Sequence, residues 1–236
     1  MSVSGQEQGL GAAAEKGPRA RMKRHMLDTA MRLMQSGLIP SVSEVAEAAE
    51  VSRATAYRYF PSQAAMIQAA VDEALGPILG WSSASPDPEQ RILDLLAFAY
   101  PRMESYEATH RAALLLALDQ WTRRQAGTLG AEAPIVRGNR KALLREAMAP
   151  LRAKVSRQAF DKLTQSLSLI FGIEAIVVLK DIWALDDEQA GRVAIWAAHA
   201  LVRTAIAEAS ALSEIGPARG SKQKAAKRPS GSRKGA

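Results

Sequence analysis

Residues 41–66 read SVSEVAEAAEVSRATAYRYFPSQAAM, and this stretch decides the fold. Ser41 with Glu44 three residues on has the form of a capping box, in which each side chain serves the other's backbone N–H at the start of a helix. Val42, Val45, Ala46 and Ala49 then recur at helical spacing and make one apolar face. A tight turn is expected at Glu50–Val51, with Ser52 as the N-cap of a further helix. Pro61 ends that helix, because a proline disfavours helix in the residue before it. Two short helices joined by so brief a turn describe a helix-turn-helix. Ala46 and Ala49 are small enough for the helices to cross closely, and Val51 fills the angle. In the second helix Ala56 and Phe60 turn inward, which leaves two arginines and two tyrosines on a face too polar to be core.

The residues before this stretch supply a supporting helix. In PRARMKRHMLDTAMRLMQSG, from Pro18, the residues Met22, Met26, Ala30 and Leu33 or Met34 fall at helical spacing, and Gly37 suits the C-terminal cap. Charge is concentrated here. The chain carries a net charge of +7, but the segment after Gly216 holds seven cations and no acid, so the remainder nearly balances. Within Lys16–Gln63 eight Lys/Arg face four acids, a local excess of about four on the same segment as the polar helix. A second helix of this kind fits the major groove of double-stranded DNA, with Arg53, Thr55, Tyr57, Arg58 and Tyr59 facing phosphates and base edges.

With MLDTAMRLMQSG before it, the stretch resembles the DNA-binding domain of TetR-family transcriptional regulators: a helix, a glycine, a Ser-opened helix with an acidic-aliphatic-Ala core, a turn, and a helix ending Tyr-x-Tyr-Phe. The resemblance covers about residues 20–70. It implies that Ser41 and Ser43 contact phosphates at a helix amino end, that Arg53, Ala54 and Thr55 face the groove, and that Tyr57 is the phosphate-contacting tyrosine. Ser52 and Gln63 complete the expected interface. The sequence departs from the family pattern at three positions. Glu50 stands where glycine is usual, which costs about 1 kcal/mol if the turn needs a left-handed backbone there. Gln63 replaces a frequent lysine, and Ala54 a frequent glycine, which stiffens the helix.

Beyond Pro61 the sequence predicts an all-α protein. A fourth helix follows in SQAAMIQAAVDEALGPILG, then the Ser/Pro-rich loop WSSASPDPEQ, then helical patterns near 88–104, 106–126, 138–151, 156–183 and 187–212. This divides the chain into an arm at 1–17, a helix-turn-helix domain at 18–63, a helical bundle for ligand binding and dimerisation at 64–213, and a basic tail at 214–236. Residues 156–183 read as one helix, with Leu167, Ile170, Phe171, Glu174, Ala175, Val178 and Leu179 on one face and Gly172 allowing close helix approach. Val193, Trp196, Ala197, Ala200 and Leu201 line the next helix. These apolar faces are either monomer core or, as the resemblance implies, a four-helix interface between two copies. A homodimer in turn fits a pseudo-palindromic operator.

The resemblance also implies a small-molecule effector, unidentified by the sequence, that lowers DNA affinity. The mixed aromatic and polar residues Tyr100, Met103, Tyr106, His110, Leu114, Trp121 and Trp183 suit a pocket between helices, or ordinary packing. The family habit is repression.

Other classes find little support. Cysteine is absent, so disulfides and thiolate metal sites are excluded. His25, His110 and His199 lack metal spacing, and no nucleophile elbow, phosphate loop or dinucleotide fingerprint occurs. No cofactor and no enzymatic activity are expected. The longest apolar run, LIFGIEAIVVL, is short and interrupted by Glu174, and the amino terminus has no signal-peptide order. A cytoplasmic protein without membrane contact is the expectation. The basic tail either adds sequence-independent attraction to DNA or serves as a solubilising end.

Overall fold

The computed structural model describes residues 17–215. Residues 1–16 and 216–236, where the arm and the basic tail are expected, lie outside the described residues. Among the described residues every regular element is helical, as the sequence predicts. The α-helices are α1 (Pro18–Gln35), α2 (Val42–Ala48), α3 (Arg53–Tyr59), α4 (Gln63–Leu79), α5 (Pro88–Ser105), α6 (Glu107–Gln125), α7 (Arg140–Ala147), α8 (Arg157–Leu167), α9 (Ile173–Val177) and α10 (Asp187–Ile215). A 3₁₀ turn at Ala149–Leu151 and a π-helical turn at Val178–Ile182 complete the set.

Short polar residues fix where these helices begin and end. Pro18 occupies the first position of α1, where a missing N–H costs nothing, and Gly37, at φ +87°, takes the left-handed conformation just past its end. The capping box of α2 is present. The Glu44 backbone N–H donates to Ser41 Oγ at 3.2 Å, and the Ser41 N–H donates to Glu44 Oε2 at 2.7 Å. The Ser41 backbone N–H, and after it the Ser41 hydroxyl, favour the ionised carboxylate and hold the Glu44 pKa below its usual value. Ser52, Ser62 and Ser156 cap α3, α4 and α8 in the same way, each accepting the N–H three residues on. Each such cap stabilises its helix by about 1 kcal/mol.

Among the described residues the backbone packs as two compact units, the first containing residues 17–81 together with Ala97–Asn139 and the second Ser82–Leu96 with residues 140–215. In the first unit α1 packs on α2, α4 and α6, and α2 packs on α3. Its core joins Met26, Ala30 and Met34 of α1 to Val45 and Ala46 of α2, Ala56 of α3, Met66 and Ile67 of α4, and Ala112 and Leu116 of α6. Fully burying each of the larger side chains stabilises the unit by about 1.5–3 kcal/mol.

In the second unit α8 packs on α7 and α10. A buried guanidinium there gathers loose backbone acceptors. Arg91 donates to Ala147 O at 3.0 Å, to Glu146 O at 2.7 Å and to Glu146 Oε1 at 2.8 Å. It also bonds Ser83 O, and Ser85 O at 3.2 Å. Glu146 and Ala147 end α7, so a cation sits where helix carbonyls lack intrahelical partners and the dipole is negative.

Two expectations need correction here. The predicted helix over 138–151 is shorter, running from Arg140 to Ala147 before the 3₁₀ turn that contains Pro150. The helix predicted over 156–183 is broken: α8 ends at Leu167 and α9 starts only at Ile173. Between them Ser168 Oγ donates to Gln165 O at 2.6 Å, and Gly172 adopts φ +137°, which a residue with a Cβ rarely does. The space beside Gly172 is taken by the Arg140 guanidinium, 2.8 Å from where a Cβ would stand. Arg140 is fixed there by Ser168 O at 3.1 Å and Glu174 Oε2 at 2.6 Å. Gly172 therefore admits a side-chain cation, not a neighbouring helix, and the single face from Leu167 to Leu179 does not form.

Candidate nucleic-acid interface

Helix α3 is held by its apolar side. Ala56 and Phe60 are buried in the first unit's core. The turn before it is closed by the Val51 N–H donating to Ala46 O at 2.9 Å. A His25 ring nitrogen donates to Ala49 O at 3.1 Å and ties this turn to α1. Glu50 sits at φ +55°, so the left-handed turn is real and its residue pays about 1 kcal/mol relative to glycine.

The opposite side of α3 is open. Arg53, Ala54, Tyr57 and Arg58 are exposed, while Thr55 and Tyr59 are half-buried. The Ser43 and Tyr57 hydroxyls meet at 3.4 Å, which positions the Tyr57 ring beside the start of α2. Ser52 is occupied locally: its Oγ accepts the Thr55 N–H at 3.1 Å and donates to Thr55 Oγ1 at 2.9 Å. The Gln63 amide is also engaged, its Nε2 donating to Ile39 O at 3.2 Å and Pro40 O at 3.1 Å. In place of a lysine's charge, Gln63 thus fastens the α1–α2 connection to α4. Among the described residues no carboxylate pairs with Arg53 or Arg58. The unit presents an exposed, capped helix with two uncompensated guanidiniums and a positioned phenol.

Residues 26–70 match bacterial regulatory proteins of the tetR family. This segment is a TetR-type amino-terminal domain. The TetR match begins inside α1 and ends inside α4, so apart from the His25 bond it contains every contact just described around α2 and α3. In fold the chain is similar to a TetR transcriptional regulator from Rhodococcus sp. RHA1, known from its crystal structure, at 18% identity and a TM-score of 0.50. That likeness covers 79% of this chain and 97% of the other. No curated protein sequence matches the chain. Among the described residues no three His, Asp or Glu side chains stand close enough to hold a metal, and no helix is long and apolar enough to cross a membrane.

Outside the TetR domain the sequence-predicted residues divide. In the first unit Tyr100, Met103 and His110 are buried and Tyr106 and Leu114 half-buried. Burial pushes the His110 pKa down to about 4, so the imidazole is neutral, and burial together with the Glu104 charge pushes the Tyr100 phenol up. His110 Nε2 and the neighbouring Thr109 Oγ1 are buried without a hydrogen-bond partner. The sequence did not single out Thr109, because a threonine inside an apolar helix carries no signal of an unmet bond. Two candidates stand on the surface. Trp121 is 58% exposed, on the outer side of α6 with Leu115 and Leu118. Trp183 is 69% exposed, where the π-helical turn ends.

The expected interface residues divide similarly. Phe171 and Ala175 are buried within their own chain, because the break before α9 turns them inward, and Ile170 is half-buried. Val178, Val193, Trp196 and Ala200 remain exposed, with Ala197 and Leu201 half-buried. Trp196, at 73% exposure, borders a groove of about 340 Å³ between α8 and α10 that Leu163, Ala197, Leu201 and Ala205 also line.

Proposed function

We propose that the chain is a cytoplasmic, homodimeric, sequence-specific transcriptional regulator that acts as a repressor. In this reading residues 18–63 read DNA, and residues 64–213 dimerise and bind an effector that releases the operator. The observation that carries it is the exposed side of α3, where unpaired Arg53 and positioned Tyr57 stand on a helix capped by Ser52 and anchored by Ala56 and Phe60. An arginine so placed can bond guanine O6 and N7 together, and the tyrosine hydroxyl can bond a phosphate.

The exposed Trp196 beside an apolar groove supports dimerisation, since large apolar surface left bare marks an interaction site. Two such copies place two α3 helices against half-sites one helical turn, or a multiple of it, apart. The unmet bonds of His110 and Thr109 among Tyr100, Met103, Tyr106 and Leu114 support an effector with a polar group for a neutral imidazole. Its binding would favour a state in which the two α3 helices no longer match the operator.

Selection of bound duplexes from a random pool, with the full-length protein at moderate salt, tests this reading. An inverted repeat is expected. Recovery of no motif, with binding that vanishes as salt rises, would reject sequence-specific recognition.

A further inference from the structure

A second cationic feature lies between α3 and α1, and it joins Arg19 to residues of α3 expected at the DNA interface. Pro18, Arg19 and Met22 of α1 and Thr55, Arg58 and Tyr59 of α3 line an open groove of about 500 Å³. The Arg19 guanidinium carbon lies 5.9 Å from the centroid of the Tyr59 ring, and that of Arg58 lies 6.0 Å from the same centroid. Contacts of this kind contribute about 0.5–1 kcal/mol at exposed sites. Their larger effect is to hold two long side chains in place, because Tyr59 is itself packed against the hydrophobic core.

We propose that Arg19, Arg58 and Tyr59 form a clamp for the DNA sugar-phosphate backbone, separate from the base-reading side of α3. The inference rests on the DNA-binding reading above. Among the described residues neither guanidinium has a carboxylate partner. Both cations line the same groove, so an anion held in it is attracted by each. A guanidinium held against a ring keeps its N–H edge free, and that planar edge matches phosphate oxygens.

Placement favours DNA as the source of the anion. Thr55, Arg58 and Tyr59 stand at i, i+3 and i+4 on the side of α3 that faces α1. Arg53, Ala54 and Tyr57 occupy the adjoining exposed side. A duplex seated on α3 therefore brings one strand's backbone past the groove. Arg58 is thus a backbone contact and not a base reader. Arg19, which the sequence shows only as one charge among several, joins the interface.

The test compares wild-type protein with Arg19→Gln on the selected inverted repeat and on a random duplex, across a salt series. Arg19→Gln is expected to weaken both duplexes by the same factor, about three- to tenfold, and to lower the salt slope by about one, with base preference unchanged. Tyr59→Phe keeps the ring and is expected to keep the wild-type slope. An unchanged affinity and slope in Arg19→Gln would overturn the clamp, as would a loss confined to the selected sequence. Loss of the salt-dependent contribution in Tyr59→Phe would overturn the stacking role of the ring. Failure of the wild-type protein to select any sequence is a different result, and it rejects the regulator reading itself.

Discussion

His110 shows what a single residue contributes when its partners are missing. Its ring is buried in the first unit with Nε2 unpaired, and burial lowers its pKa to about 4. In the unfolded chain the same group titrates near its ordinary value of 6.5. Between these two values the unfolded state takes up a proton that the folded state refuses, so stability rises with pH there and is lost as pH falls from 6.5 toward 4. The full effect is about 3 kcal/mol. Urea melts at pH 7 and pH 4.5 should show most of this loss in wild-type protein, and His110→Leu should remove it from the difference between the two. Equal acid sensitivity in both proteins would mean that His110 is solvated or paired. The histidine itself is visible in the sequence, but its neutrality is not, since that depends on Thr109, Tyr100 and the core around them. Glu50 is the opposite case. The resemblance, which puts a glycine at this position, raises the left-handed turn as a condition, and the φ of +55° meets it.

At the scale of elements the same contrast holds. The boundaries of α2 and α3 were legible because their causes are local: Ser41 with Glu44, Ser52 with Thr55, and Pro61 after Phe60. The break between α8 and α9 was not, because apolar residues keep helical spacing on both sides of it. At the break stands Arg140, which precedes Gly172 by more than thirty residues and occupies the space a Cβ would need. Periodicity reports which residues seek burial, and it is silent about a distant side chain that fixes one backbone angle. Gly172→Ala places a Cβ against that guanidinium at a φ of +137°. Such strain costs about 1–3 kcal/mol, and the urea midpoint should fall accordingly with little change in slope. An unchanged midpoint would show that residues 168–172 can join α8 to α9 as continuous helix, and that glycine is not what holds the break. The missed break also explains the misplacement of Phe171 and Ala175, which an unbroken helix would have put on an outer face.

For the whole molecule the question is what covers α8 and α10. Trp196 is 73% exposed, with Val193 and Ile195 about two-fifths exposed nearby in α10, and the groove beside Trp196 is lined by Leu163, Ala197 and Leu201. Each large apolar side chain moved out of water contributes about 1.5–3 kcal/mol, so a surface that presents the same patch twice in a symmetric pair gains from both copies. Lys162 and Glu208, which pair at 3.9 Å and border the groove, supply a polar rim compatible with such a contact. Trp196→Glu places a charge in the middle of the patch without touching the core of either unit. The wild-type mass in light scattering at micromolar concentration is expected to be that of two chains, and that of Trp196→Glu one. The wild-type melting temperature should rise with protein concentration, whereas that of the variant should not. Operator affinity should fall at least about tenfold, because a single chain contacts one half-site and forfeits the second. Circular dichroism at low temperature should remain that of a helical protein, which separates loss of pairing from loss of folding. If Trp196→Glu kept the mass of two chains, the α8–α10 groove would be ruled out as the dimer contact. The exposed stripe of Leu115, Leu118 and Trp121 on α6 would then be the surface to alter next.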